Sequence, residues 1–195
     1  MAATKSFMAQ LVAGVRLVAH WQGDAGLQTA LSALPAALDA ATQVEWPAAV
    51  EALQGTDRLY VVGRGPGLGI AEETALKLKE TSSVLAEAIS AAEIHHGPKA
   101  VIGPGFPVLV YGLADPGGED ARQFAADLAG VGAQVLLASP TPGAGQHLPL
   151  PPPLHPLLDP IVALLAFYPL AEALARQRGR DPDRPPGLRK VTRTF

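Results

Sequence analysis

The sequence predicts an α/β fold, a three-layer α/β/α sandwich around a parallel sheet of four or five strands. Three observations lead there. Short apolar runs of strand length, LYVV (59–62), PVLVYGL (107–113) and AQVLLAS (133–139), lack a polar alternation, which marks strands buried on both faces. Segments of helical period separate them. Their β-α-β spacing implies right-handed crossovers within one parallel sheet. The 195 residues are 48% apolar and 17% charged, enough for one domain with a sizeable core and too apolar for a disordered chain.

In chain order, residues 1–22 carry Phe7, Leu11, Val15 and Val18 at helical spacing. Arg16 and His20 interrupt the run, so it reads as an amphipathic helix, not a signal peptide. Two further helical patterns cover Leu27–Ala41 and Trp46–Leu53. Pro35 is expected to kink or break the first, and Pro47 suits the first turn of the second. Trp46 is expected in the core. Gly117–Val131 reads as a helix and His147–Leu150 as a short fourth strand. The proline-rich segment 149–156 is a stiff, extended loop in which His155 is expected to be exposed. Leu157–Arg176 is the most apolar helix, but Asp159, Pro160, Pro169 and Glu172 break it too often for a membrane span. From Arg176 onward the chain has seven basic residues and two acidic ones.

The chemistry concentrates between Val62 and Lys99. The glycines of GRGPGLG fit neither a dinucleotide fingerprint, since Leu68 stands where the third glycine belongs, nor a Walker loop. The helix that follows says more. Glu73, Lys77 and Glu80 stand at i, i+4 and i+7, within an arc of roughly 60°. Leu68, Ala71, Ala75 and Leu78 form a separate apolar stripe, with Glu72 and Lys79 on its other edge. A solvated face of i,i+4 ion pairs accounts for such a pattern in most helices. The alternative is an acid/base cluster in which a lysine holds a carboxylate ionised. Further on, EIHHGP ends in Gly-Pro, which stops a helix; a histidine in the last turn would feel the negative end of the helix dipole, suiting a proton donor. Adjacent His95 and His96 in a helix point about 100° apart, so no metal site is expected with Glu93.

The stretch ETALKLKETSSVLAEAISAAEIHHGPKAVI resembles the sugar isomerase (SIS) domain family, in particular the second SIS domain of the aminosugar-phosphate isomerases, synthases and deaminases. Glu73 through Glu80 match E-x-A-L-K-L-K-E. Ala86–Glu87–Ala88, Glu93 and His96–Gly97–Pro98 match the second part of the pattern. The start AATKSF resembles the linker helix between two SIS domains, and DPDRPPGLRKVTRT resembles the C-terminal tail of these enzymes. The resemblance implies a flavodoxin-like SIS fold, with a linker helix at 1–22, the SIS domain at 23–175 and a tail at 176–195 that reaches toward the sugar site. It implies Glu80 as the proton-transfer base, His96 in ring opening, often from the neighbouring subunit, and Lys77 and Lys190 at the sugar or its reacting oxygens. Glu73, Gly65 and Arg64 are the expected substrate-binding residues. Glu80 is expected at the mouth of a pocket near the C-terminal ends of the strands. The family's phosphate-binding segment, roughly S-x-S-G-x-T, has no counterpart in these residues; Ser82–Ser83 and Ser139–Pro140–Thr141 do not fit it.

The implied ligand is a phosphorylated sugar or aminosugar, fructose 6-phosphate or a hexosamine 6-phosphate, with no cofactor. The function read from this is either an isomerase or deaminase half-enzyme working by enediol proton transfer, or a SIS module that binds phosphosugars without turning them over. A net charge of −3 argues against a nucleic-acid partner. With no cysteine there is no disulfide or thiolate chemistry, which is compatible with a cytoplasmic setting. A homodimer with the site near the subunit interface is expected, because the apolar first and last helices exceed what one small sheet needs as cover.

Overall fold

In the computed structural model, residues 2–185 and 187 are described; Lys190 lies outside them. Three helices come first: α1 (Lys5–Gln22), α2 (Ala25–Thr42) and α3 (Pro47–Leu53). The sheet and its crossovers follow as β1 (Arg58–Gly63), α4 (Pro66–Ser82), β2 (Leu85–Ser90), β3 (Pro107–Tyr111), α5 (Pro116–Gly130), β4 (Gln134–Ser139), β5 (Gln146–Pro149) and α6 (Asp159–Gln177). Two short 3-10 turns, Glu93–His96 and Pro98–Val101, lie between β2 and β3. The five strands are all parallel, in the order β2-β1-β3-β4-β5.

The continuous apolar runs are buried on both faces, as their composition requires. Leu59, Val61, Leu109, Tyr111, Leu136 and Ala138 pack against α1–α4 and α6. Their alternates Tyr60, Val62, Val108, Val110, Val135 and Leu137 pack against α5 and the first 3-10 turn. The sandwich is therefore lopsided, with five helices on one face and one on the other. Local chemistry sets the helix starts. The Asp24 carboxylate accepts from the Leu27 amide (2.9 Å), and Asp115 accepts from the Gly118 amide (2.5 Å) ahead of Pro116. In the proline-rich loop, Asp159 accepts from the amides of Leu154 (2.7 Å) and His155 (3.0 Å), which fixes the entry into α6. Trp46 is buried, and its indole N–H donates to the Pro149 carbonyl (3.1 Å).

Three expectations need correction. Pro35 does not break α2, which runs unbroken through it. The lost amide donor costs one hydrogen bond, and the packing of Leu27, Ala30, Leu34 and Ala41 holds the helix together. His155 is half-buried by its place against α6 rather than exposed. The largest difference is β2. LAEAIS is an edge strand, paired on one side with β1 from Arg58↔Leu85 to Gly63↔Ser90. Its alanines and glutamate carry little β propensity, so nothing local distinguishes it from the helix before it. Consequently EIHH is a four-residue 3-10 turn and not the end of an α-helix, and it lacks the aligned peptide units that a helix dipole needs. Among the described residues no helix is long and apolar enough to cross a membrane.

Candidate active site

Helix α4 carries the site, and its geometry begins with the turn before it. Gly65 precedes Pro66 with φ of 54° and ψ of −132°, a conformation open to glycine. Gly63 must lack a side chain because a Cβ there would run into the Gly67 carbonyl. These two residues let the chain leave the C-terminal edge of β1 and fold straight back down the sheet. Lys77 lies twelve residues beyond Gly65, a descent of about 18 Å at the helical rise. The end of α4 therefore meets the N-terminal edge of the sheet, where Leu85 pairs with Arg58. Glu80 consequently does not sit near the C-terminal ends of the strands; the helix has carried it to the opposite edge.

There α4 packs along α6, and this contact decides the state of the charges. Glu73 and Lys77 are buried, with side chains 5% and 3% exposed, so the face is not a solvated one. The Lys77 ammonium donates to Glu80 Oε2 at 2.5 Å and stands 3.5 Å from Glu73 Oε1. Tyr168 of α6 donates its hydroxyl to the same Glu73 oxygen at 3.3 Å. Burial pushes the Glu73 carboxyl above the usual carboxylate range, while the Lys77 charge and the Tyr168 hydrogen bond pull it back. Burial, and then the Glu73 charge, raises the Tyr168 hydroxyl. Beneath this cluster the Tyr111 hydroxyl, fully buried, pairs with Thr74 at 2.6 Å. Thr81 turns its hydroxyl back onto the Lys77 carbonyl (2.8 Å).

A cavity of about 650 Å³ opens on this cluster. Lys77, Thr81 and Tyr168 form its floor, Ala171 and Glu172 of α6 one wall, and residues 2–6 with Pro182 and Asp183 its rim. Glu80 is held beside it by Lys77. The volume is in the range of small-molecule sites. The cavity therefore meets Lys77 and Tyr168, with Glu73 and Glu80 paired to the Lys77 ammonium outside its lining, groups suited to moving protons on a polar ligand.

The other anticipated residues lie elsewhere. Arg64 pairs with Asp120 at 2.9 Å, and with Gly65 it lies at the C-terminal edge of the sheet, away from this cavity. His96 is exposed at that same edge, beyond the end of β2, where the Ala91 amide bonds the Gly63 carbonyl. It is thus remote from Glu80 of its own chain. His95 packs edge-on against Phe124. Of the seven anticipated site residues, the fold gathers Glu73, Lys77 and Glu80. Tyr168 is the functional candidate that the sequence did not yield. Its only signal was a hydroxyl among the apolar residues of LLAFYPLA.

A five-stranded parallel sheet with helices on both faces, and an ion-paired cluster packed where α4 meets α6, places the chain among the α/β sandwich domains. Residues 52–126 match the SIS domain model, and the chain belongs to the SIS domain family. It is 37% identical to the glutamine–fructose-6-phosphate aminotransferase of Aeropyrum pernix over 98% of this chain and 34% of the relative. To that of Zymomonas mobilis it is 33% identical over 97% and 34%. The chain thus spans about a third of the length of these curated relatives. Among solved structures, a Silicibacter pomeroyi DSS-3 protein, described only provisionally as a phosphosugar isomerase, superposes with a TM-score of 0.83 at 38% identity, covering 92% of this chain and 55% of that one. The glucosamine-6-phosphate deaminase of Thermotoga maritima gives 0.71 at 26% identity, covering 97% and 57%.

Proposed function

We propose that this chain is the proton-transfer portion of a hexosamine-phosphate isomerase or deaminase. The observation that carries this reading is the buried Lys77 ammonium, shared between Glu73 and Glu80 at the floor of an open cavity. An aldose–ketose interconversion needs an open-chain sugar, a base that carries a proton between C1 and C2, and a charge beside the enediol oxygen. Glu80 is the base. It is the more exposed of the two carboxylates, and so the one a substrate carbon can reach. Lys77 donates to it at 2.5 Å and supplies positive charge to the developing oxyanion. Glu73, sealed beneath them, balances that charge. The relatives named for fructose 6-phosphate and glucosamine 6-phosphate support this substrate class.

His96 serves ring opening in a neighbouring copy, since its own Glu80 lies at the far edge of the sheet. This makes a dimer the working unit. The resemblance assigns Lys190 to the sugar as well, and upstream of it Pro182 and Asp183 line the cavity. A second reading is a module that binds the phosphosugar without turning it over. It is favoured by the cavity's lining, which includes Lys77 but neither Glu73 nor Glu80.

The test is to incubate the purified chain with fructose 6-phosphate and with glucosamine 6-phosphate in deuterated water. Proton exchange at C1 or C2 is followed by NMR, and binding is measured separately by calorimetry. Exchange that vanishes in Glu80→Gln is the expected result. Binding without exchange selects the module, and neither binding nor exchange removes both readings.

A further inference from the structure

We propose that Tyr168 is a positioning residue for the proton-transfer cluster: its hydroxyl occupies Glu73, so that the Lys77 ammonium is committed to Glu80. The role rests on the function proposed above, but the contact itself does not.

The geometry is unequal in a telling way. Glu73 Oε1 takes two donors, Tyr168 at 3.3 Å and Lys77 at 3.5 Å, while the same ammonium reaches Glu80 at 2.5 Å. A buried carboxylate left with one donor would compete for that donor at full strength. Glu73, 5% exposed, has no solvent to turn to. The tyrosine therefore satisfies part of its demand, and Lys77 leans toward Glu80, the more exposed of the two carboxylates. Charge alone would not choose between two glutamates three and four residues away on one helix face.

The surroundings leave this task to Tyr168. Glu73 is faced by Lys77 and Glu80 from its own helix and by Tyr168 from α6. Tyr111 of β3 acts only at longer range, and its hydroxyl is already paired with Thr74. Lys5 and Glu172 line the same cavity. Because burial and the Glu73 charge both disfavour the phenolate, Tyr168 stays protonated and donates over the whole working pH range. The contact spans 95 residues of sequence, so it exists only once α6 has docked on α4. Tyr168 also lines the cavity, which puts its ring beside any ligand there.

The experiment is a carboxyl-carbon NMR titration of the full chain with labelled glutamate, in wild type, Tyr168→Phe, Glu73→Gln and the double variant. Tyr168→Phe removes one oxygen and keeps the ring that packs α6. The Glu73 midpoint is expected to move further up in Tyr168→Phe. In the Glu73→Gln background, exchanging tyrosine for phenylalanine should leave every remaining glutamate titration unchanged. An unmoved Glu73 midpoint overturns the proposal, as does an equal effect of Tyr168→Phe with and without Glu73. In the deuterium-exchange assay with fructose 6-phosphate, Tyr168→Phe should lower kcat while KM stays put, because the Lys77 ammonium is then divided between two carboxylates. A shifted Glu73 midpoint with an unchanged kcat also overturns the positioning role. If the wild-type chain exchanges no proton, the proposed enzymatic function fails, and the titration still decides whether Tyr168 governs Glu73.

Discussion

Replacing Lys77 with methionine isolates the electrostatics of the site from its packing. Methionine nearly matches the lysine stem in length and shape, so the change deletes a charge without opening a void. Lys77 is 3% exposed and touches two carboxylates, one of them 5% and the other 18% exposed. Stripping one partner from a buried pair costs about 3–5 kcal/mol. Glu80 recovers some hydration through its exposed edge, so a loss near ~3 kcal/mol at neutral pH is expected. The pH dependence identifies the cause. The Glu73 carboxyl is raised by burial above its ordinary 4.5, and removing Lys77 takes away the main influence pulling it down. A carboxyl raised in the folded state contributes stability that is complete below its unfolded pKa and lost as pH rises through its folded pKa. In Lys77→Met that loss covers a wider span of pH. The deficit should therefore be largest above the raised Glu73 pKa and shrink toward pH 4, where the Glu73 carboxyl takes up its proton with or without lysine. Urea unfolding at pH 7.5 and pH 4 measures it. With a slope of about 2 kcal/mol/M, the midpoint should fall by about 1.5 M at neutral pH and by much less in acid. Equal deficits at the two pH values, or none at pH 7.5, would refute the buried cluster as its geometry describes it.

Other outcomes follow from the same structure. Gly63→Ala should lower stability by about 1–3 kcal/mol in thermal melts, since the added methyl meets the Gly67 carbonyl at the first turn of α4; an unchanged melting temperature would contradict that close approach. Ser83, in the left-handed region at φ 51° where α4 ends, should gain about 0.5–1 kcal/mol on replacement by glycine, seen as a rise of roughly 2 °C. Arg178 donates to the Gln54 and Thr56 carbonyls at 2.7 and 2.9 Å, tying the end of α6 to the entry of β1. Arg178→Ala should cost about 1–3 kcal/mol and speed amide exchange in the last turn of α6. If His96 opens the sugar ring, His96→Asn should slow ring-closed substrate far more than an open-chain analogue, and equal slowing of both would take that role away.

The sequence by itself determined what short-range physics fixes. The apolar runs of β1, β3 and β4 could only be doubly buried strands, and the spacing between β3 and β4 left room for one crossover helix, so the parallel sandwich was legible. So was the row of Glu73, Lys77 and Glu80, because a helix turns 100° per residue whatever surrounds it. Tertiary structure decided the rest. The pairing with β1 made LAEAIS a strand, since its own residues favour a helix as readily as an extended chain. The reversal of α4 along the sheet moved Glu80 to the N-terminal edge and left His96 and Arg64 at the other, a separation that numbering along the chain conceals. Above all, the same three charges read as a solvated face or as an acid/base cluster, and it is the docking of α6 that buries Glu73 and Lys77. Burial is a property of the neighbour that arrives, here Tyr168 from 95 residues away, and it is burial that raises Glu73 and gives the shared ammonium its strength.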